Sequence, residues 1–451
     1  MKNRKLVLYL FIIFSIILST GYSQTKFQKK LRPRYRTHLH HQKIRQLNEG
    51  LPLHKKSQKY AEDQILVKFK PSVKSQSIDT TLAVYNSKLL KKIPVGNIYQ
   101  VQIPEGTTVK EMVYTMNQNA DVEYAGPNFI AHITVTPNDT FFDYQYALYN
   151  SGQDIGVPGS PQGKNRADIK ATAAWEESKG VAEVIIAIID TGVDLEHPDL
   201  VNKIISSGRD FVNNDFDATD DHSHGTFVAG IAAAETNNNE GVAGVAWNCK
   251  ILPIKCIGDE GTGFYSWIIE GIYWAVENNA AVINLSLGGT DTDPLIKDAL
   301  KYAFDNNVVV VAAAGNEAEP VLYPAAYTEY CLVVAASDYD DNQVSWSNYG
   351  PEIDVAAPGE RIVGCVPDWF WGPGSIPYAF GSGTSYSSPH VAGLAALIKS
   401  SKDWLTAAEI MNIICYSADD VNSTEHPGKD DYMGYGRINM EKALVPIIIT
   451  N

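Results

Sequence analysis

The apolar residues in the C-terminal two-thirds of this chain recur in short, nearly uninterrupted runs. Five runs have the length of a β-strand: VIIAIID (184–190), ILPIKC (251–256), AVINLS (281–286), VVVVAA (308–313) and CLVVAA (331–336). Between them, residues 267–276 and 294–304 carry apolar side chains at helical spacing. Strands that are apolar on both faces are typical of a parallel sheet buried between helices. The pattern predicts an α/β fold, a doubly wound, mostly parallel sheet with helices on both faces.

The preceding region has a different, alternating pattern. Residues 65–71, ILVKFKP, predict a strand that ends at the proline, and residues 98–103 place apolar side chains on one face. A capping-box pattern at Thr108 begins an amphipathic helix, and residues 122–133 supply one or two further strands. Strands alternating with two helices predict a small ferredoxin-like α+β domain at 61–135.

The segment between these two regions, residues 133–163, is rich in Pro, Gly, Asn and Asp, which predicts a linker. We expect the larger domain to occupy residues 136–451. In open parallel sheets, functional residues gather at the carboxyl ends of the strands, so those ends are where candidate chemistry should be sought.

The first residues have the pattern of an export signal. Three basic residues within the first five precede an almost wholly apolar run of 13 residues at 6–18, and small residues follow. This run is short for a membrane span and typical of a signal peptide, which we place at 1–23, although an uncleaved N-terminal anchor shares the pattern. With no second long apolar run, we expect a secreted, extracellular or periplasmic protein without membrane contact after cleavage.

Charge is distributed very unevenly along the chain. Residues 1–135 carry 21 Lys and Arg against 8 Asp and Glu, whereas residues 136–451 carry 16 against 44. The basic arm could bind nucleic acid, but the simpler interpretation is an intramolecular partner for the acidic part, and no other feature favours nucleic acid. Residues 24–60 are predicted to be a basic linker. Their HLHH cluster could hold a metal, although a solvated basic run is the simpler interpretation.

The five cysteines show neither a CxxC pair nor a Cys/His spacing typical of metal sites. Export permits disulfides, but an odd number leaves at least one thiol free or available to another chain. The pairing cannot be deduced from the sequence, and buried free thiols remain an alternative.

Four polar residues stand beside glycine at the ends of predicted elements. Asp190 ends a strand, His224 begins an apolar helix, Asn316 follows a strand, and Ser385 precedes a long apolar helix. Each has an ordinary interpretation: turn residues at Asp190 and Asn316, a metal pair of His224 with His222, and a helix cap at Ser385. Together, carboxylate, imidazole, amide donor and hydroxyl are the groups that acyl transfer needs.

The motifs around these residues resemble those of subtilisin-like serine proteases, the subtilase family. The matching stretches, in family order, are DTGVDLEHPDL (190–200), HGTFVAG (224–230), INLSLGG (283–289), AAAGN (312–316), DVAAPG (354–359) and GTSYSSPHVAG (383–393). The resemblance implies that Ser385 is the nucleophile, His224 the general base, and Asp190 the group that orients His224. It also implies an oxyanion hole formed by Asn316 and the backbone N–H of Ser385.

The same resemblance implies further sites. An extended substrate would pair with the strand edge at Ser286, Leu287 and Gly288, and Ala313, Ala314 and Gly315 would complete the S1 pocket. Structural calcium would be held by the side chains of Asp199 and Asn238 and by carbonyls of Thr236, Glu240 and Val242. No organic cofactor is implied.

The N-terminal domain resembles the propeptides of this family, which assist folding and inhibit the enzyme. We expect self-cleavage between about residues 133 and 139, which leaves an acidic mature enzyme. We also expect a monomer that acts on polypeptides as a broad endopeptidase with an apolar P1 residue, because only Glu317 is a candidate for reading a basic one.

Two other functions are compatible with parts of this pattern. A catalytically silent subtilase scaffold could act as a binding protein, but the intact set of four residues argues against it. A different α/β hydrolase is disfavoured because Ser385 lacks a GxSxG elbow and because Asp precedes His and Ser in the chain. Casein hydrolysis that is blocked by a serine-directed inhibitor and insensitive to a zinc chelator would separate these functions.

Two residues depart from the family pattern. Tyr386 replaces the usual Met after the nucleophile, and Phe227 replaces a second His after the HGT motif. Because no oxidisable sulfur stands next to Ser385, peroxide should inactivate this protein less readily than a Met-bearing relative. Residual proteolytic activity after exposure to dilute peroxide measures this, and rapid loss would contradict the prediction.

Overall fold

The computed structural model describes residues 60–129, 135–155, 163–205, 208–372 and 374–445. The predicted signal peptide, the HLHH cluster and nearly all of the predicted basic linker lie outside the described residues. No helix in the described ranges has both the length and the hydrophobicity needed to cross a lipid bilayer.

The N-terminal domain has the ferredoxin-like arrangement that the sequence predicts. Its elements are β1 (Tyr60–Phe69), α1 (Ser75–Val84), β2 (Lys88–Ile93), β3 (Ile98–Gln102), α2 (Val109–Asn117) and β4 (Val122–Phe129). The antiparallel sheet has the order β2-β3-β1-β4, and its core includes Val67, Val101 and Met112. The capping box is present: the Thr108 N–H donates to the Glu111 carboxylate at 3.0 Å, and the Glu111 N–H donates to the Thr108 hydroxyl at 3.3 Å.

The large domain is built on a seven-stranded sheet of order β11-β10-β9-β8-β5-β7-β6, in which every pair of neighbours is parallel. Its strands are β5 (Ile185–Asp190), β6 (Arg209–Asp210), β7 (Lys250–Lys255), β8 (Val282–Leu285), β9 (Val309–Ala313), β10 (Cys331–Ser337) and β11 (Val355–Pro358). A separate hairpin pairs β12 (Ile362–Cys365) with β13 (Tyr378–Gly381). All five predicted strands are present, which confirms the parallel α/β prediction.

Helices cover both faces of this sheet. They are α3 (Ala171–Glu177), α4 (His224–Ala233), α5 (Tyr265–Glu277), α6 (Pro294–Asp305), α7 (Thr384–Ser401), α8 (Ala407–Ser417) and α9 (Met440–Leu444). The helix α7 is buried along most of its length, which explains why its sequence is apolar on every side.

The alternation of side chains along β5 determines which face of the sheet carries the Asp190 side chain. Ile186 and Ile188 pack in the cluster that includes α4 and α7, whereas Ala187 and Ile189 pack in the cluster that includes α5 and α6. Because side chains alternate in a strand, Asp190 shares the face of Ile186 and Ile188. The carboxylate therefore emerges beneath the helices that carry His224 and Ser385.

The predicted linker at 133–163 is wrong for its described part. A short 3₁₀ helix spans Phe142–Tyr144, and the buried side chains of Phe142, Tyr146, Leu148 and Ile155 belong to the apolar clusters of the large domain. The turn-forming residues of this stretch mark bends in a packed segment and not a solvated connection.

All five cysteines are buried and free: Cys249, Cys256, Cys331, Cys365 and Cys415. Burial raises the pKa of each thiol above its usual range, so the reactive thiolate is disfavoured. Of the alternatives left by the sequence, buried free thiols are the one that the structure shows.

Candidate active site

Asp190 and His224 form a direct hydrogen bond, 2.7 Å from the imidazole Nδ1 to the carboxylate Oδ1. The Asp190 side chain is 2 % exposed and that of His224 is 24 % exposed. Burial alone would lower the pKa of His224, but the charge of Asp190 and this bond outweigh it, so the pKa lies above its ordinary value. The arrangement leaves the second ring nitrogen, Nε2, to exchange protons with a reactant.

Helix α4 begins at His224, as predicted. Its first turn lies unusually close to the chain that follows β5. A Cβ atom at Gly225 would lie 2.0 Å from the carbonyl oxygen of Gly192, so only glycine fits there. The Gly225 N–H donates to the Thr191 hydroxyl at 2.9 Å, and that hydroxyl donates to the buried carboxylate of Asp220 at 2.8 Å. These bonds hold the histidine directly above the end of the strand.

Ser385 is the second residue of α7, and it does not cap the helix. The residue preceding the helix is Gly383, which makes no side-chain cap. The Ser385 hydroxyl donates to the Ser286 carbonyl oxygen at 3.2 Å, and within the described residues it makes no hydrogen bond to His224. The helix cap considered from the sequence is therefore wrong, and a Ser385–His224 bond requires the side chain to move.

A buried hydrogen-bond network fixes the backbone behind Ser385. The Ser286 hydroxyl donates to the Ser385 carbonyl oxygen at 2.8 Å and lies 2.8 Å from the Ser388 hydroxyl. The Asn284 amide donates to the same Ser286 oxygen at 2.8 Å. Ser286, predicted only as part of a substrate-binding strand, thus also positions the nucleophile candidate.

Asn316 is oriented by a residue that the sequence reasoning missed. Its Oδ1 accepts hydrogen bonds from the Thr384 N–H at 2.8 Å and from the Thr384 hydroxyl at 3.0 Å. With its oxygen held in this way, the amide turns its Nδ2 hydrogens outward, where they contact no acceptor among the described residues. The GTS motif contained the signal, since a hydroxyl immediately before Ser385 is available for this contact.

The predicted substrate crevice is closed by a further residue, Leu322. Leu287 is half-buried and Gly288 is exposed on one side, while Ala313 and Ala314 are buried on the other. The Leu322 N–H donates to the Ala314 carbonyl oxygen at 3.0 Å, and a Cβ at Gly288 would lie 3.0 Å from the Leu322 Cβ. Leu322 therefore bridges the two walls and presents an apolar side chain between them.

The Glu317 carboxylate is hydrogen-bonded to residues near it. One of its carboxylate oxygens accepts from the Asn316 N–H at 2.8 Å and from the Asn348 amide at 3.2 Å. This contact disfavours the sequence-based candidate role for Glu317 as a reader of basic substrate side chains. Gly315, the last predicted wall residue, has a left-handed conformation, with φ +112°, that turns the chain toward Asn316.

The predicted cation loop converges on Asp199, which is completely buried. Its carboxylate accepts from the Asn238 amide and the Val242 N–H, both at 2.8 Å. Asp139, which the sequence reasoning missed, joins this loop because its Oδ2 accepts from the Asn237 N–H at 2.8 Å. Its other oxygen, Oδ1, is buried and has no partner among the described residues.

Asp139 and Asp199 are two carboxylates in one loop, and no Lys or Arg among the described residues offsets their charge. Burial raises the pKa of Asp139 to about 6 and that of Asp199 to about 6. A bound cation would offset this penalty, and carboxylate, amide and carbonyl oxygens are the ligands that calcium prefers. The carbonyls of Thr236 and Glu240 belong to the same loop, so the donor set fits calcium.

The described residues contain no group of three or more His, Cys, Asp or Glu placed to hold a metal. His222 and His224, considered as a metal pair, have ring centroids 6.4 Å apart. The geometry of His224 instead matches that of a base oriented by a carboxylate.

Comparison with known proteins settles the family. The sequence pattern of the subtilase family matches residues 182–436, which is more than half of the chain. The chain belongs to the subtilase family. A fervidolysin N-terminal prodomain pattern matches residues 53–128, so this subtilase carries a prodomain of that kind.

Named relatives of this subtilase are serine proteinases. It is 38 % identical over 396 residues to the thermophilic serine proteinase of Bacillus sp. (strain AK1), covering 85 % of this chain and 88 % of that protein. It is 39 % identical over 309 residues to thermitase of Thermoactinomyces vulgaris, covering 68 % and 99 %. The chain is accordingly a subtilisin-like serine protease with a prodomain.

Solved structures agree with this assignment. Fervidolysin from Fervidobacterium pennivorans, a keratinolytic enzyme related to subtilisin, superposes with a TM-score of 0.56 at 27 % identity, covering 88 % of this chain and 63 % of that one. A protease from Pseudoalteromonas arctica superposes with a TM-score of 0.58 at 32 % identity, covering 69 % and 99 %.

Replacing Asn316 by Ala should lower kcat by about 10²–10³-fold with little change in KM, since the donor would act only when negative charge develops on the substrate. Thr384→Ala should lower kcat less, because it only releases the Asn316 amide. Steady-state kinetics on a peptide amide test this order. If Asn316→Ala raised KM while kcat stayed unchanged, the side chain would be a ground-state contact.

Proposed function

We propose that this subtilase is a secreted serine endopeptidase in which Asp190, His224 and Ser385 form the catalytic triad. The observation that carries the proposal is the 2.7 Å bond between Asp190 and the Nδ1 of His224. It fixes a base at the start of α4, which packs against the helix that begins beside Ser385. The Ser385–Ser286 bond must break for attack, and such catalytic contacts often tighten only when substrate is bound.

In the first step, the Ser385 oxygen adds to the scissile carbonyl carbon while His224 Nε2 takes the hydroxyl proton. Asp190 keeps the Nδ1 proton in place and stabilises the imidazolium. The negative charge that forms on the carbonyl oxygen would be met by Asn316 Nδ2 and the Ser385 N–H, which lies in the first turn of α7, where negative charge is favoured.

In the second step, the C–N bond breaks and the imidazolium returns the proton to the leaving amine. An acyl group then remains on Ser385 until water, deprotonated by the same imidazole, hydrolyses the ester. The serine, the histidine and the aspartate end the cycle unchanged, so no external reductant, oxidant or cofactor takes part.

The substrate would bind as an added strand along Ser286, Leu287 and Gly288, where main-chain hydrogen bonds give affinity without strong sequence preference. Leu322 between the crevice walls favours an apolar P1 residue, and the Glu317 carboxylate, the candidate for a basic P1 residue, accepts hydrogen bonds from the Asn316 N–H and the Asn348 amide. We therefore propose a broad endopeptidase with an apolar P1 preference.

We also propose that the protein is made as a zymogen that cleaves itself. The prodomain would inhibit the catalytic domain by occupying its active site. Residues 61–135 carry 7 Lys against 7 Asp and Glu, so opposite charge would assist docking only through the basic arm at 24–60, which carries 11 Lys and Arg against one Glu. Because Asp139 belongs to the cation loop, cleavage should fall on its N-terminal side, within about residues 133–139, so that the mature enzyme retains it.

Ser385→Ala tests both the catalysis and the processing. Wild-type protein should hydrolyse casein, whereas removal of the nucleophile from a triad of this kind lowers kcat by about 10⁶-fold. N-terminal sequencing of the secreted wild type should find a start near residues 133–139, whereas the variant should retain the prodomain.

The two readouts of that variant separate different failures. Identical processing of wild type and variant would show that another protease performs the cleavage. A processed, folded wild type that leaves casein intact would support the catalytically silent scaffold and contradict the protease proposal.

Calcium is proposed as a structural ion in the loop of Asp199. The ligands would be the side chains of Asp199, Asn238 and Asp139 with the carbonyls of Thr236, Glu240 and Val242. When bound, the ion would supply positive charge to two buried carboxylates and would take no part in bond cleavage.

Chelation with EDTA should lower the thermal midpoint by about 4 °C, since a site occupied at 100 times its Kd contributes about 2.7 kcal/mol and a domain of this size unfolds with an entropy of about 0.7 kcal/mol/K. Asp199→Asn should lower the midpoint in calcium and abolish the EDTA effect, whereas the exposed control Asp403→Asn should preserve it. Scanning calorimetry measures both. A wild-type midpoint that EDTA leaves unmoved would exclude the ion.

A further inference from the structure

The two departures from the family pattern, Phe227 and Tyr386, are in direct contact. Their ring centroids lie 4.2 Å apart at an interplanar angle of 32°. Phe227 is on α4, and Tyr386 is on α7. The pair therefore joins the helix that begins at His224 to the helix that carries Ser385.

Both rings rest on glycines of the β12–β13 hairpin. A Cβ atom at Gly364 would lie 2.5 Å from Phe227 Cε1, and one at Gly381 would lie 2.5 Å from Tyr386 Cε2. Side chains larger than hydrogen at these two positions would displace the rings. Two aromatic residues and two glycines thus form one packed unit, which we call the aromatic clamp.

The clamp reaches the imidazole. The Tyr386 ring centroid lies 5.9 Å from that of His224 at an angle of 37°, and Phe227 lies one turn along the same helix from His224. Asp190 holds the Nδ1 edge of the imidazole, and His222 has its ring centroid 6.4 Å away. Tyr386 thus occupies a flank of the ring that would otherwise be open to water or to a smaller side chain.

We propose that Phe227 and Tyr386 are positioning residues that hold the His224 imidazole in the orientation needed to accept the Ser385 proton. This inference rests on the proposed triad. The aromatic rings are rigid and fill space, so they restrict ring rotation that a flexible thioether would permit. A displacement of about 1 Å in such a site can lower the rate by about 10²-fold.

The role requires the aromatic ring of Tyr386 and not its hydroxyl, which makes no hydrogen bond within the described part of the chain. Tyr386→Phe should therefore keep kcat within about twofold of wild type. Tyr386→Ala should lower kcat by about 10–100-fold while KM changes by less than about threefold, because the substrate-pairing strand is not touched.

Gly381→Ala gives the sharpest test, since it alters neither ring nor any reacting group. Its added methyl should displace the Tyr386 ring and lower kcat several-fold. In the Tyr386→Ala background the same methyl meets no ring, so it should leave kcat unchanged. Equal losses in both backgrounds would overturn the inference, because the glycine would then act through some other contact.

The matched control is Tyr416→Ala, which removes one ring of the Tyr416–Tyr435 pair, 5.2 Å apart, on a helix that carries no candidate catalytic residue. It should lower the thermal midpoint but leave kcat unchanged below that midpoint.

A Tyr386→Ala variant with wild-type kcat would also overturn the inference. A wild type that hydrolyses no peptide while remaining folded would instead overturn the proposed triad, and this inference with it.

Discussion

The hydrogen bond between Asp190 and His224 is the contact on which the rest of the site depends. It exists because Asp190 is the last residue of a strand whose preceding side chains are apolar. The carboxylate therefore lies where water is largely excluded. Burial there lowers the pKa of the imidazole, and the adjacent Asp190 carboxylate, assisted by the charge of Asp220, raises that pKa above its ordinary value. The close approach permitted by Gly225 is what allows the helix and the strand to bring the two groups together.

Behind the reacting atoms lies a second layer of polar contacts that cannot shift independently. The Ser286 hydroxyl joins the end of β8 to the backbone of Ser385, and Thr384 joins the same helix to the Asn316 loop. A buried polar group that loses its partner is unfavourable, so these bonds resist rearrangement. The Ser385 hydroxyl, by contrast, makes a single 3.2 Å bond to the Ser286 carbonyl and is the member that can move.

The sequence predicted the elements that have a clear apolar pattern, either continuous or periodic, and missed those that have none. Five apolar strands and the start of α4 at His224 followed from local pattern. The strand β2, KLLKKI, was not predicted because it is an exposed edge strand. Lysines are favoured at such edges, and apolar and polar residues do not alternate there. Helix α1 has no side-chain cap, and the segment after residue 140 combines turn residues with buried aromatics. Asp139, Thr384 and Leu322 were missed because their roles come from contacts between distant segments, which periodicity does not report.

The aromatic clamp shows why the residues of this site should be interpreted together and not one position at a time. Taken alone, Tyr386 looks like the loss of a methionine and Phe227 like the loss of a histidine. Their stacking, and the bare backbone of Gly364 and Gly381 beneath them, show that the four positions depend on one another, since each ring needs both its neighbour and a glycine below. In this chain the tyrosine beside Ser385 is accommodated by Phe227 on the opposite helix and by Gly381 of the hairpin. The orientation of His224, the proposed base, is in this way coupled to a hairpin that contributes none of the proposed reacting groups.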